Sequence, residues 1–195
     1  MSGSEMSGAT GQPRVGVVFP ASGRCDHVDL TANLAVLLAC SGRRVLVLDF
    51  AGDDRSVQEY LAPFPRTSVR APLELQSAVT ALVAEPLVAV ATMLRFDLAD
   101  DQSGAVATIE VGEPAGLPRL APARAGAQAV TELRTALLGS GFDDVLVALP
   151  EPEPDTAAAE ALAAKLADTV LVAFGPSESA VTAAAVGDVF LEVGS

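Results

Sequence analysis

A doubly wound α/β fold, with a mainly parallel sheet of about five or more strands and helices on both faces, is the architecture this sequence predicts, and three observations predict it. Short, nearly unbroken apolar runs recur along the chain (RVGVVFP, RRVLVLDF, DVLVAL, TVLVAF), as strands covered on both faces require. Stretches with apolar residues at helical spacing separate them, and that alternation points to parallel strands joined by crossover helices. The length of 195 residues, 50% of them hydrophobic, suits one domain that removes roughly 70% of its unfolded surface from water.

The elements follow in order. Residues 1–13 read as a flexible Ser/Gly leader and residues 14–195 as a single domain. Arg14 to Pro20 is the first strand. Over residues 30–41 the apolar Leu30, Leu34, Leu37 and Leu38 recur at helical spacing, with Asp29 placed to cap the start and Gly42 to end the helix. Residues 43–50 form a second buried strand that carries Asp49 near its end. Strand, loop, helix and strand make a βαβ unit, whose crossover is expected to be right-handed. Residues 61–70 hold Pro63 and Pro65 and read as irregular, while residues 73–83 and 87–95 read as helices. Residues 104–112 are a third strand, followed by a Pro/Gly-rich surface connection. Helix is then expected over 125–138, strand over 144–149, helix over 156–166, strand over 168–174 and helix over 177–191. Residues 151–155 (EPEPD) read as a short acidic loop without the glycine-turned ligand spacing of a calcium site.

Composition excludes several functions. Twelve basic against 25 acidic residues give a formal charge of -13, which argues against a nucleic-acid surface built on clustered Lys/Arg. The one lysine is Lys165, so no lysine-dependent chemistry operates elsewhere. Cys25 and Cys40 supply neither a disulfide framework nor a cysteine metal site and read as small buried or loop thiols. No apolar run reaches the roughly 20 residues that span a bilayer, and the N-terminus lacks a secretory pattern. A cytoplasmic protein without membrane partners is the expectation. The Ala-, Arg- and Val-rich, Lys-poor usage suits a GC-rich genome.

In an open α/β sheet, ligands bind beyond the carboxyl ends of the strands, which directs attention to the loop after Pro20, ASGRCDHVD. A phosphate-binding loop of the form GxxxxGK[ST] uses glycines to bring backbone N–H groups around phosphates, a lysine to neutralise charge and a hydroxyl to hold Mg²⁺. In that frame Ala21 takes the first glycine position, Asp26 the second, His27 the lysine position and Val28 the hydroxyl position. Asp26 and Asp29 also place negative charge where an anion would sit, a repulsion on the order of 1–4 kcal/mol per pair at ~4 Å. Arg24, a partly protonated His27 and the helix N-terminus would offset part of it.

The stretch from Val17 to Phe50 resembles the opening βαβ of ParA/MinD-like ATPases, and especially their KGGVGR-motif variants from actinobacteria, most clearly at Asn33-Leu34-Ala35 and from Ser41 to Phe50. The resemblance puts the family's signature lysine at Ser22, while Gly23 keeps the next glycine. The family's acidic pair after the second strand matches at Asp49 but falls on Ala51 at its second member; Asp53 and Asp54 compensate only with a shifted backbone. FDDVLVALPEPEPDT (142–156) is similar to the family's Walker B region, with the switch aspartate on Ala148, and LADTVLVAFGPSESAVTAAA (166–185) is similar to a later strand and helix. Together the matches cover about half the chain. The family continues with further strands and an adenine-contacting loop beyond the point that corresponds to Ser195. Base recognition is therefore absent, or the sequence is part of a longer one.

The resemblance implies a pseudo-ATPase, not an enzyme: a scaffold or regulatory subunit with no cofactor expected, its degenerate loop running through Ser22, Gly23, Arg24, Cys25, Asp26, His27, Val28 and Asp29 beside Asp49. Its partner would be a second copy or an active ParA-like or KGGVGR-type ATPase. Two alternatives stand beside it. One is an atypical ATP/Mg²⁺-binding ATPase using Gly23, Arg24, His27 and Asp49 or partner residues. The other is a small hydrolase using Cys25 or His27. A metal site of His27 with Asp26, Asp29 and Asp49 has one histidine and scattered acids, and a solvated loop histidine is the simpler reading.

Overall fold

The apolar runs become the strands of one seven-stranded sheet in the order β3-β4-β5-β2-β6-β1-β7. The structure, a computed structural model, describes residues 12–21, 25–50, 56–82, 92–98, 104–110, 127–150 and 157–174. Along the chain it places β1 (Arg14–Pro20), α1 (His27–Cys40), β2 (Val45–Asp49), α2 (Val57–Leu61), β3 (Arg66–Arg70), α3 (Leu73–Thr80), β4 (Thr92–Asp97), β5 (Ala105–Glu110), α4 (Ala127–Leu138), β6 (Asp144–Ala148), α5 (Ala157–Leu166) and β7 (Thr169–Ala173). β5, β2, β6, β1 and β7 pair in parallel. β3 and β4 add to the β5 side antiparallel.

Alternation along the strands feeds two cores. Val15, Val17, Phe19, Leu46, Leu48, Val145 and Leu149 meet α3, α4 and α5 through Leu75, Val130, Leu133 and Leu162. Val45, Leu146 and Ala148 meet α1 and α2 on the other face through Val28, Ala35, Val57 and Leu61. Every residue of β2 and β6 is buried, so these strands sit at the centre, where each buried Val or Leu contributes about 1.5–3 kcal/mol.

α1 packs differently from the expectation. Its buried residues include Thr31, Ala32, Ala35 and Ala39, whereas Leu30 and Leu37 are 44% and 68% exposed. Alanines let the helix lie close on the sheet; leucines at those positions would hold it off. The helix also begins earlier, at His27, with Asp26 as its N-cap. The Leu30 N–H donates to the Asp26 carbonyl at 3.0 Å, which places Asp29 inside the first turn, where a carboxylate suits the helix dipole. Gly42 does end the helix, at φ 85°, a left-handed conformation that suits glycine. Cys40 is exposed on the last turn, neither buried nor in a loop, while Cys25 is half-buried before α1.

Two expectations in the middle of the chain are overturned. Residues 66–70 form β3 rather than irregular chain, and residues 92–95, expected in a helix, belong to β4. Pro63 and Pro65 precede the strand and do not interrupt it, and β4 is held as a strand by ladders on both sides. α2, five residues long, is too short to announce itself by periodicity. The leader before residue 12, the Pro/Gly-rich connection, EPEPD and the expected helix 177–191 lie outside the described residues.

Candidate functional site: the carboxyl-end rim of the sheet

The carboxyl ends of β1, β2 and β6 are adjacent. Asp49 stands opposite Ala148 in the β2–β6 register, and Ala148 stands opposite Val18 of β1. Backbone bonds carry the ladders one step beyond the strands: the Phe50 N–H donates to the Ala148 carbonyl at 2.9 Å, the Leu149 N–H to Val18 at 3.1 Å and the Ala21 N–H to Ala173 at 2.9 Å. The fold therefore brings Ala21, the α1 start, Asp49 and the Ala148 position to one rim. Ser22, Gly23, Arg24 and Ala51, with Asp53 and Asp54, lie outside the described residues.

Val28 and Asp49 at this rim take part in the fold itself. Val28 is 5% exposed and packs with Ala32, Ala35 and Ala148 in the core on the α1 face. Asp49 is 2% exposed, and its carboxylate accepts the Val57 N–H at 2.8 Å. That bond satisfies one of the orphan donors at the start of α2. Asp26 is exposed and makes no side-chain cap bond.

His27 corrects the expectation of a solvated loop histidine. It is the first residue of α1 and only 1% exposed. Its Nδ1 lies 3.4 Å from the Cys25 carbonyl oxygen, a contact that the Nδ1–H tautomer makes as donor. Nε2 is buried without a partner, and in that tautomer it carries a lone pair. The His27 carbonyl accepts the Thr31 hydroxyl at 2.8 Å. Thr108, which sequence reading did not single out, is fully buried on β5, and its hydroxyl too has no partner; a threonine inside a strand run gives no signal that its oxygen will go unmet.

Among the described residues, the positions that the resemblance assigns to a nucleotide do not fit Mg²⁺-nucleotide. The hydroxyl position is a core valine, the lysine position is a buried histidine, the switch-acid position is an alanine and the remaining acid holds a helix start. Among the described residues no three His, Cys, Asp or Glu side chains converge as metal ligands, and no helix is long and apolar enough to cross a membrane. A groove of about 600 Å³ lies elsewhere, between α3 and α4, lined by Pro72, Glu74, Thr131, Glu132, Thr135 and Gly139 among others.

The opposite rim is densely charged. Arg43 grips Asp144 with two guanidinium nitrogens, Nη2 at 2.8 Å and Nε, and donates to the Asp143 carbonyl at 3.2 Å. Arg44 donates its backbone N–H to the Asp143 carboxylate at 2.7 Å, with its guanidinium 3.3 Å from the other oxygen. The side-chain bond to Asp144 holds Arg43 above its ordinary value, against burial. Hydrogen bonds from Arg44, side chain then backbone, hold Asp143 below the usual carboxylate range. Asp168 accepts the Val15 N–H at 2.9 Å and the Arg134 guanidinium at 2.9 Å.

Solved structures share this architecture. The kinase domain of Escherichia coli tyrosine kinase ETK matches with a TM-score of 0.56 at 15% identity, over 94% of this chain and 64% of that one. The chimerical protein CapA2B2 matches with a TM-score of 0.59 at 16% identity, over 94% and 73%. The BceF tyrosine kinase domain matches with a TM-score of 0.54 at 21% identity, over 93% and 64%. The chain has a P-loop NTPase-like α/β fold. At these identities the likeness is one of fold, and the chain spans less than two thirds of the ETK and BceF domain structures, 64% in each case. No family model matches the sequence, and no curated protein matches it.

Proposed function

We propose that this chain is a pseudo-ATPase of the ParA/MinD type, nearest in pattern to the KGGVGR variants: a P-loop-like scaffold in the cytoplasm that binds another protein and has no nucleotide chemistry of its own. The observation that carries the reading is the pairing of Asp49 with Ala148 across β2 and β6. Where two acids would flank a phosphate-bound cation, one is a methyl group and the other accepts the Val57 N–H with one of its oxygens. Val28, packed in the core, removes the hydroxyl from the same rim. The partner is a second copy or an active ATPase of the same fold. Similarity to CapA2B2 and two tyrosine kinase domains supports the scaffold; fold by itself does not transfer activity.

One observation favours the rival in which nucleotide binds through an atypical loop: the partnerless Nε2 of His27 at the start of α1. It weakens on inspection. With Nδ1–H turned to the Cys25 carbonyl, the buried Nε2 offers a phosphate oxygen only a lone pair. For a hydrolase, His27 meets Cys25 through its backbone carbonyl, which does not activate a thiol. Isothermal titration calorimetry with ATP, ADP and GTP, each with and without Mg²⁺, tests the reading. The expected result is no heat beyond dilution; micromolar binding of any nucleotide contradicts it.

A further inference from the structure

The edge of the sheet formed by β3 presents a surface the rim does not use. All five residues of β3 are exposed, and β3 ends the sheet beside β4. The Asp97 N–H donates to the Pro65 carbonyl at 3.0 Å, which sets the phase of the antiparallel ladder. Alternate residues turn their backbone groups to the same neighbour, so the odd-numbered positions of β3 serve β4. The N–H and C=O groups of Arg66, Ser68 and Arg70 therefore point outward. Their side chains share one face of the strand, opposite Phe96, Leu94 and Thr92 in the register.

Charge makes this edge selective. The chain has 25 acidic residues against 12 basic, and Arg43, Arg44, Arg95 and Arg134 each pair with an aspartate. Arg66 and Arg70 have no carboxylate partner among the described residues. We propose that β3 is a docking edge for an extended acidic segment of a partner protein. That segment adds as an antiparallel strand and sets two carboxylates, four residues apart, opposite Arg66 and Arg70.

Self-pairing is the competing occupant, and the sequence opposes it. Two β3 strands centred on Ser68 would place Arg66 against Arg70 twice, and like charges directly opposite destabilise a ladder. The same arginines that deter a second copy at this edge attract an acidic strand, so repulsion and attraction together set the choice. The inference gives the scaffold reading a partner surface but does not depend on the nucleotide loop, so a nucleotide titration and the experiment below fail independently.

The probe is a capped peptide, Thr-Glu-Val-Thr-Val-Glu-Thr, with a control carrying Lys in place of both Glu. Amide hydrogen exchange of the full chain is followed by NMR at millimolar peptide. The expected result is slowing of about tenfold or more at the Arg66, Ser68 and Arg70 amides, which open locally to solvent without peptide, and none with the Lys control. The exposed double variant Arg66→Glu/Arg70→Glu should reverse the preference and take the Lys peptide. No protection at those amides, equal protection by both peptides, or an unchanged preference in the double variant overturns the proposal.

Discussion

At the amino ends of β2 and β6, Arg43 and Arg44 hold Asp144 and Asp143 through side-chain and backbone bonds, while at the carboxyl ends of the same strands Asp49 faces Ala148. The first rim resolves its charges in pairs. At the second, Val28 and Ala148 are packed in the core, and the partnerless buried atoms of His27 and Thr108 belong to α1's start and to β5. One sheet thus carries an end where Arg43, Arg44 and Arg134 each pair with an aspartate, and an end where Val28 and Ala148 belong to the core. The difference teaches that the two ends of one sheet are held differently: charged side chains reinforce the tie across β2 and β6 at the amino side, whereas at the carboxyl side the backbone bond from the Phe50 N–H to the Ala148 carbonyl runs beside apolar packing.

The contrast can be broken first by putting an acid back. Ala148→Asp buries a second carboxylate opposite Asp49 and should cost on the order of 3–5 kcal/mol in urea unfolding near neutral pH. If 10 mM Mg²⁺ restored the loss, the rim would still be able to hold a cation, and its description as lost would be wrong. Next in size is the other rim. Asp144→Ala leaves Arg43 without its two-point partner and should cost about 3 kcal/mol by the same measurement; a loss under about 0.5 kcal/mol would mean the clamp is ornamental.

A smaller effect is expected with pH. Because Asp143 lies below the usual carboxylate range when folded, its contribution is present above the unfolded value and is lost as pH falls through the lowered folded one. Asp143→Asn should therefore be less stable than the parent at neutral pH, and the gap should close as acid protonates the parent's carboxylate. A gap that stays constant down to that range would remove the linkage. The smallest effect has the opposite sign. Thr108→Val replaces a buried hydroxyl without a partner by a methyl group and should raise stability by about 0.5–1 kcal/mol; a loss of similar size would show that the hydroxyl is satisfied.

Much of the sheet was legible because buried parallel strands leave a strong imprint. RVGVVFP gave β1 to the residue, and VLVLD and DVLVA gave the two central strands. β3 left no imprint, since an edge strand with every residue exposed has no apolar alternation to read. β4 was mistaken for helix because its apolar residues merge with the run before Thr92, and only its neighbours on both sides hold it extended. α1 was found, but its face was rotated: Leu34 and Leu38 pack at the edge of the core while Leu30 and Leu37 are exposed, because close packing on the sheet selects the alanines. At the rim, the substitutions were readable from a motif frame. The burial of His27 and the engagement of Asp49 by Val57 were not, because both depend on where a loop and a five-residue helix lie in space.

The central claim is that the carboxyl-end rim no longer binds Mg²⁺-nucleotide. It is tested most directly by thermal unfolding of the full chain with and without 1 mM Mg·ATP. Binding at about 10 μM would add roughly 2.7 kcal/mol at that concentration, and for a chain of this size each kcal/mol raises the midpoint by about 2–4 °C. The account predicts a midpoint unchanged within the error of the scan. A rise of about 5 °C or more that is absent when Mg²⁺ is chelated would contradict it.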